Sequence, residues 1–116
     1  MKLQEVIDIL GAQTLVNGVD ADVVVESACG ADLMSDVLTY AKAGALLLTG
    51  LTTVQVIYTA EMADIRAICF VRGKKPPEET VSLAQSKKIT LVKTSLPMFE
   101  SCGKLYRHGL KGCSET

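Results

Sequence analysis

The chain predicts an α/β fold, a single three-layer domain whose mostly parallel sheet is flanked by helices. Three observations carry this. Residues 45–49, 65–71 and 89–92 are almost purely apolar runs without polar alternation, as strands buried on both faces require. Stretches with apolar residues at helical spacing separate them. The connections are too short for anything but right-handed crossovers between parallel strands.

Each element follows from local pattern. Leu3, Val6, Ile7 and Leu10 share a helical face, and Gly11 suits the C-terminal cap, so a first helix covers about residues 2–10. Gln13 to Val16 reads as a short strand closed by the turn signal Asn17-Gly18. Val23, Val24 and Val25 begin a second strand running to Cys29-Gly30. Met34, Val37, Leu38 and Ala41 form the next stripe, capped by Asp32 or Ser35 and stopped at Gly44.

After the run ending at Thr49, Thr52 or Thr53 caps a helix expected to face Val54, Ile57, Tyr58 and Met62 inward. Pro76 and Pro77 open a further helix with Glu78 and Glu79 in its first turn and Lys87 and Lys88 at its end, the order the helix dipole favours. A last helix carries Met98, Phe99, Cys102, Leu105 and Tyr106 on one face and stops at Gly109. Leu110 to Thr116 reads as a loose tail. The expected organisation is one domain over 1–112 and a flexible tail over 113–116.

Composition narrows the function. The 116 residues are 48% hydrophobic and 22% charged, a globular balance sized for one domain. Net charge is −1 and the pI about 5.8, which argues against a phosphate-backbone binder. Trp is absent and there are 2 Phe and 3 Tyr, few rings for stacking bases. A single His excludes any site needing two from one chain. The uncharged run 43–60 holds five Thr or Gln residues and Gly50, and reads as a strand feeding a helix instead of a membrane span. MKLQEVIDIL carries Glu5 and Asp8 with no small-residue cleavage site after it, so a cytoplasmic protein with free thiols is expected. No nucleic-acid partner, membrane or cofactor is expected.

Charge is divided along the chain. Residues 1–58 hold 2 bases and 7 acids, and residues 59–116 hold 10 bases and 6 acids. Such a protomer could pair acidic with basic surfaces in a homodimer, or the charges could simply solvate helix faces.

In an open α/β sheet, ligands bind beyond the carboxyl ends of the strands. Thr49-Gly50-Leu51-Thr52-Thr53 combines a glycine, three hydroxyls and a following helix N-terminus, which suits a phosphate or carboxylate. Arg72, Gly73, Lys74 and Lys75 leave the neighbouring strand and add positive charge. Together with Asp32 these are the candidate site for a small anion or nucleotide. Ordinary strand-to-helix turn chemistry explains the same residues, and neither GxGxxG nor GxxxxGK[ST] occurs. Asp32, Ser35 and Asp36 fit a metal or acid/base cluster, or more simply a helix cap. Cys102, His108 and Cys113 form C-x5-H-x4-C, which matches no common zinc site. Cys29, before Gly30, is the thiol expected to be most exposed. No metal site and no catalytic constellation is expected.

The stretches Asp32–Leu38, Ala41–Gly44, Leu46–Gly50, Ala60–Ile68, Val71–Pro76 and Leu96–Glu100 resemble the DRTGG domain family, over nearly the whole chain. The resemblance implies a non-catalytic regulatory or ligand-sensing module, often dimeric. Its relatives occur within phosphotransacetylases and CBS-containing pyrophosphatases. The implied fold is similar to the N-terminal domain of HPr kinase/phosphorylase and to the uridine-nucleotide-binding domain of muramyl ligases. Two name-giving elements differ. Leu51-Thr52 stands where an Asp-Arg pair is expected, and Arg72-Gly73-Lys74 keeps one glycine of a Thr-Gly-Gly. HPr kinase activity is not implied, since no P-loop occurs.

Three functions follow as alternatives: an anion- or nucleotide-sensing homodimer; an adaptor docking on a partner metabolic enzyme, such as one related to hydrogenase or acetyl phosphate; and a small redox protein using Cys29.

Overall fold

Leu46, Leu47, Leu48, Ala67, Ile68, Cys69, Phe70, Leu91 and Val92 have no solvent exposure at all. They occupy adjacent strands at the centre of one sheet. The structure, a computed structural model, describes residues 1–15 and 23–115. The elements are α1 (Leu3–Leu10), β1 (Gln13–Thr14), β2 (Ser27–Gly30), α2 (Met34–Tyr40), β3 (Leu46–Thr49), α3 (Val54–Met62), β4 (Ala67–Phe70), α4 (Glu78–Ser86), β5 (Thr90–Lys93), α5 (Met98–Arg107) and β6 (Lys111–Gly112).

The strand order is β1-β5-β4-β3-β2-β6. Strands β2 to β5 run parallel, as expected, and β6 joins parallel to the free edge of β2. Strand β1 closes the other edge antiparallel to β5. Helices α2, α3 and α4 cover one face, where Leu47, Ile68, Phe70 and Leu91 meet Met34, Val37, Val56, Ile57, Ala60 and Ala84. Helices α1 and α5 cover the other, where Leu46, Leu48, Ala67, Cys69 and Val92 meet Leu3, Val6, Leu10 and Leu105. A single crossover hand explains the split. Three crossovers step one way along the sheet, and α5 returns the opposite way, so it must lie on the opposite face. Among the described residues no helix is long and apolar enough to cross a membrane.

Several expectations need correction. The second strand starts at Ser27 and not at Val23. The Val23 carbonyl accepts the Leu3 N–H at 2.7 Å, and the Val25 N–H donates to the Met1 carbonyl at 2.8 Å. Those backbone groups tie down the start of α1 and are not available to β3. Val16, the Asn17-Gly18 turn and Thr116 lie outside the described residues.

Helix α2 ends at Tyr40, four residues before Gly44, and Leu38 faces solvent. The segment after it is held by the C-terminal residues: the Lys42 Nζ donates to the Glu115 carbonyl at 2.8 Å. In α3, Ile57 faces inward as expected, but Tyr58 and Met62 face out. The middle helix of three is gripped on both flanks, and small Ala60 with Val56 gives the closer fit. Lys87 and Lys88 fall just past the end of α4, where Lys87 pairs with Glu61 at 3.1 Å.

Helix α5 is rotated from its expected setting. Ser101 and Leu105 are buried, while Phe99 is 85% and Tyr106 62% exposed. Ser101 tolerates burial because its hydroxyl donates to the Leu96 carbonyl at 3.4 Å, a partnership that counting apolar residues overlooks. Leu110 to Gly112, expected as loose tail, is packed instead. Leu110 is buried and β6 satisfies the edge of β2. Beyond it, the Cys113 thiol lies 3.5 Å from the Ser27 hydroxyl, and the Tyr106 hydroxyl donates to the Glu115 carboxylate at 2.7 Å.

Candidate functional site

The exits of β2, β3, β4 and β5 share one rim because the four strands are parallel. Asp32 follows β2. Its side chain does not cap α2, whose N-cap is Leu33 with no side-chain cap bond. The carboxylate instead crosses to the end of β3. Its Oδ1 accepts the Thr49 hydroxyl at 3.0 Å and the Gly50 N–H at 2.8 Å. The wholly buried Thr49 oxygen in turn accepts the Leu51 N–H at 3.2 Å. Three bonds thus fix the turn from β3 toward α3. The capping role expected for Asp32 is replaced by a clamp between two strand exits.

Arg72 follows β4 in the left-handed conformation, φ 59°, and Gly73 repeats it at φ 66°. Three backbone bonds hold this turn: the Arg72 N–H donates to the Leu96 carbonyl and the Gly73 N–H to the Thr94 carbonyl, both at 2.8 Å, and the Lys74 N–H to the Val71 carbonyl at 3.2 Å. The bend turns the Arg72 guanidinium back over β3. A Cβ added at Gly50 would stand 2.6 Å from Arg72 Nη2 and 3.6 Å from Asp32 Oδ1. Glycine at 50 therefore lets the guanidinium lie directly above the backbone. Among the described residues the ion pair within 4 Å is Lys87–Glu61, so Arg72 is near Asp32 without a direct ion pair to it.

The structure thus brings Asp32, Thr49, Gly50 and Arg72 together. Thr53 is the exposed N-cap of α3, and its side chain makes no cap hydrogen bond to that helix. The Thr52 side chain is half-buried, and its carbonyl accepts the Thr80 hydroxyl at 2.8 Å. Lys74 and Lys75 are exposed along the turn after Gly73. Gly73 also borders a small cleft of about 160 Å³ with Gly11, Gln13, Lys93, Thr94 and Ser95. The rim so arranged can offer an incoming anion one guanidinium, flanking lysines and a helix start.

One residue of the rim, at the exit of the last apolar strand, lies outside the candidate set. Thr94 directly follows β5 much as Thr49 closes β3, and its oxygen accepts the Leu96 N–H at 3.3 Å. Its hydroxyl donates to the Leu10 carbonyl at 2.8 Å, fastening α1 to the rim. The repeated signal is a threonine within two residues of the end of an apolar run.

The thiols are poorly placed for chemistry. Burial pushes the half-buried Cys29 thiol up, and Cys113, Cys102 and Asp36 add to the shift. Burial likewise raises Cys102. A raised pKa leaves little thiolate at neutral pH, the opposite of an activated nucleophile. His108 Nδ1 lies 2.7 Å from the Lys104 carbonyl, which can only accept, so this nitrogen carries the proton. No group of three metal-ligating side chains is clustered among the described residues.

No protein-family model matches the chain, and no curated protein matches it. Among solved structures the fold is similar to the CBS and DRTGG domains of the regulatory region of a Clostridium perfringens pyrophosphatase, a crystal structure described as complexed with its activator, diadenosine tetraphosphate. The TM-score is 0.73 at 16% identity, over 90% of this chain and 45% of that one. The chain thus spans less than half the length of that regulatory region. At this identity the likeness is one of fold.

Proposed function

We propose that the protein is a non-catalytic, ligand-sensing regulatory module of the cytoplasm, working as a homodimer. It binds a small anionic metabolite or nucleotide at the rim formed by Asp32, Thr49, Gly50, Thr52, Thr53, Arg72, Gly73 and Lys74. One observation carries the reading: the Arg72 guanidinium lies over Gly50 outside ion-pair range of any described acid. A cation that the left-handed turn directs over Gly50 is available to an incoming acid group. The clamp from Asp32 keeps the Gly50 turn fixed without the ligand having to order it. The structural neighbour is a regulatory region crystallised with a nucleotide activator, which supports a nucleotide among the candidates.

The test is a thermal-shift and calorimetry panel of adenine and uridine nucleotides and acyl phosphates. A ligand at a hundred times its Kd stabilises the fold by about 2.7 kcal/mol. Arg72→Ala abolishes the shift and leaves the unliganded melting temperature unchanged. If no compound shifts the wild-type protein, the sensing role fails. The alternative, an adaptor docked on a partner metabolic enzyme with no ligand of its own, draws on the exposed Phe99 and Tyr106.

A further inference from the structure

The exposed face of α5 has a composition that solvent alone does not explain. Phe99, Gly103 and Tyr106 follow one another at helical spacing along it. Phe99 is 85% exposed. Gly103 lies in mid-helix, where glycine is a poor helix former, and a Cβ there would meet nothing within 4 Å of this chain. Beside the stripe is a cleft of about 350 Å³, large enough for an aromatic ring, with Phe99 at one end and Tyr106, Leu110 and Lys111 at the other. Glu100, Lys104 and Arg107 border the stripe on one flank, all exposed. Neither Glu100 nor Arg107 is ion-paired among the described residues.

We propose that this face binds a second copy of the chain, with the two α5 helices crossing antiparallel between Gly103 and Lys104. The proposal deepens the homodimer of the reading above by assigning its surface. Three features fit a two-fold contact, in which one patch must complement itself. In an antiparallel pair the same flank of each helix meets its counterpart. With the axis between 103 and 104, Glu100 of each copy comes level with Arg107 of the other, giving two equivalent ion pairs. A parallel pair would turn this charged flank toward the opposite flank of the partner helix and leave Glu100 and Arg107 without each other. The same axis brings Phe99 level with residue 108 opposite, at the Tyr106–Leu110 end of the facing cleft, so each copy supplies a knob and a hole. Glycine at 103 removes the side chain where the helices cross.

Sedimentation equilibrium of the full chain tests this. The wild type is expected to be a dimer. Phe99→Ser should weaken the dimer on the order of thirtyfold, as a central aromatic anchor does. Gly103→Leu, whose Cβ enters open space within its own chain, should keep the circular dichroism of the fold and yield monomer. Glu100→Lys and Arg107→Glu should each weaken association roughly tenfold through two like-charge contacts, and the double variant should restore it. A wild-type monomer at the highest soluble concentration overturns both the dimer and its interface, while anion binding at the rim is judged separately by its own titration. A dimer indifferent to all four variants keeps the homodimer and overturns this interface.

Discussion

Asp32 and Arg72 meet at the same glycine. The carboxylate of Asp32 accepts the Gly50 N–H at 2.8 Å, and the guanidinium of Arg72 lies over the space a Gly50 side chain would fill. The acid is satisfied by its own chain and the base is not. That asymmetry separates a structural clamp from a binding group, although both occupy one rim.

Removing the clamp should therefore cost stability. Hydrogen bonds to a charged group are worth about 1.5–3 kcal/mol, and Asp32 accepts two. Asp32→Ala should lower unfolding free energy by about 2–3 kcal/mol in urea titration. Asp32→Asn keeps an acceptor oxygen in place and should lose less. Equal losses for both variants would mean that the charge, and not the accepted bonds, carries the effect.

Gly50→Ala separates the guanidinium from the turn. The new Cβ would meet Arg72 Nη2, the free end of a flexible side chain, and Gly50 does not have a positive φ. The arginine swings aside and stability stays within about 0.5 kcal/mol, the range of an ordinary surface change. Affinity for the anion found by calorimetry should fall nearly as far as in Arg72→Ala. Unchanged affinity would place the anion away from Gly50.

Thr94→Val probes the second strand-end threonine. The swap keeps shape but removes the donor to the Leu10 carbonyl and the acceptor for the Leu96 N–H. Thr94 is 1% exposed, so water cannot readily replace either bond. The loss should be about 1–3 kcal/mol in thermal or denaturant unfolding. Faster hydrogen exchange should appear at the C-terminal end of α1, which this bond fastens to the rim.

How much of this was legible depended on whether a residue's environment is local. The runs through Leu46–Leu48 and Ala67–Phe70 announce buried parallel strands because every residue on them is apolar. The shared rim follows from their direction. Asp32 was legible as a polar group at a strand exit but not as a clamp, since capping is the local use of such a residue and its real partners lie 17 and 18 positions away. The setting of helix α5 is hidden from the sequence for a similar reason. Phe99 and Tyr106 look like core, and only the tertiary setting shows that Ser101 is the better fit against the sheet. Leu110–Gly112 reads as tail because a two-residue strand carries no periodicity; the need of β2 for an edge partner creates it.

Cys69 gives the pH prediction. It is wholly buried on the central strand β4, and burial, with a smaller contribution from Cys102, pushes its thiol from 9.0 up to about 12. The unfolded chain ionises this thiol near its ordinary value, so above pH 9 the unfolded state holds fewer protons than the folded one. Its contribution to stability is complete below pH 9 and is lost as pH rises toward about 12, at up to about 1.4 kcal/mol per pH unit. Cys69→Ala removes that slope, since alanine does not titrate, at the cost of a small cavity that lowers stability at every pH. Urea unfolding at pH 8, 9 and 10 on wild type and variant measures the difference. Lines that stay parallel across this range would mean that Cys69 ionises in the folded protein as readily as in the unfolded one. Thiol labelling supplies the independent check: Cys69 should resist alkylation in the native protein after Cys29, Cys102 and Cys113 have reacted, and become accessible only at the rate of unfolding.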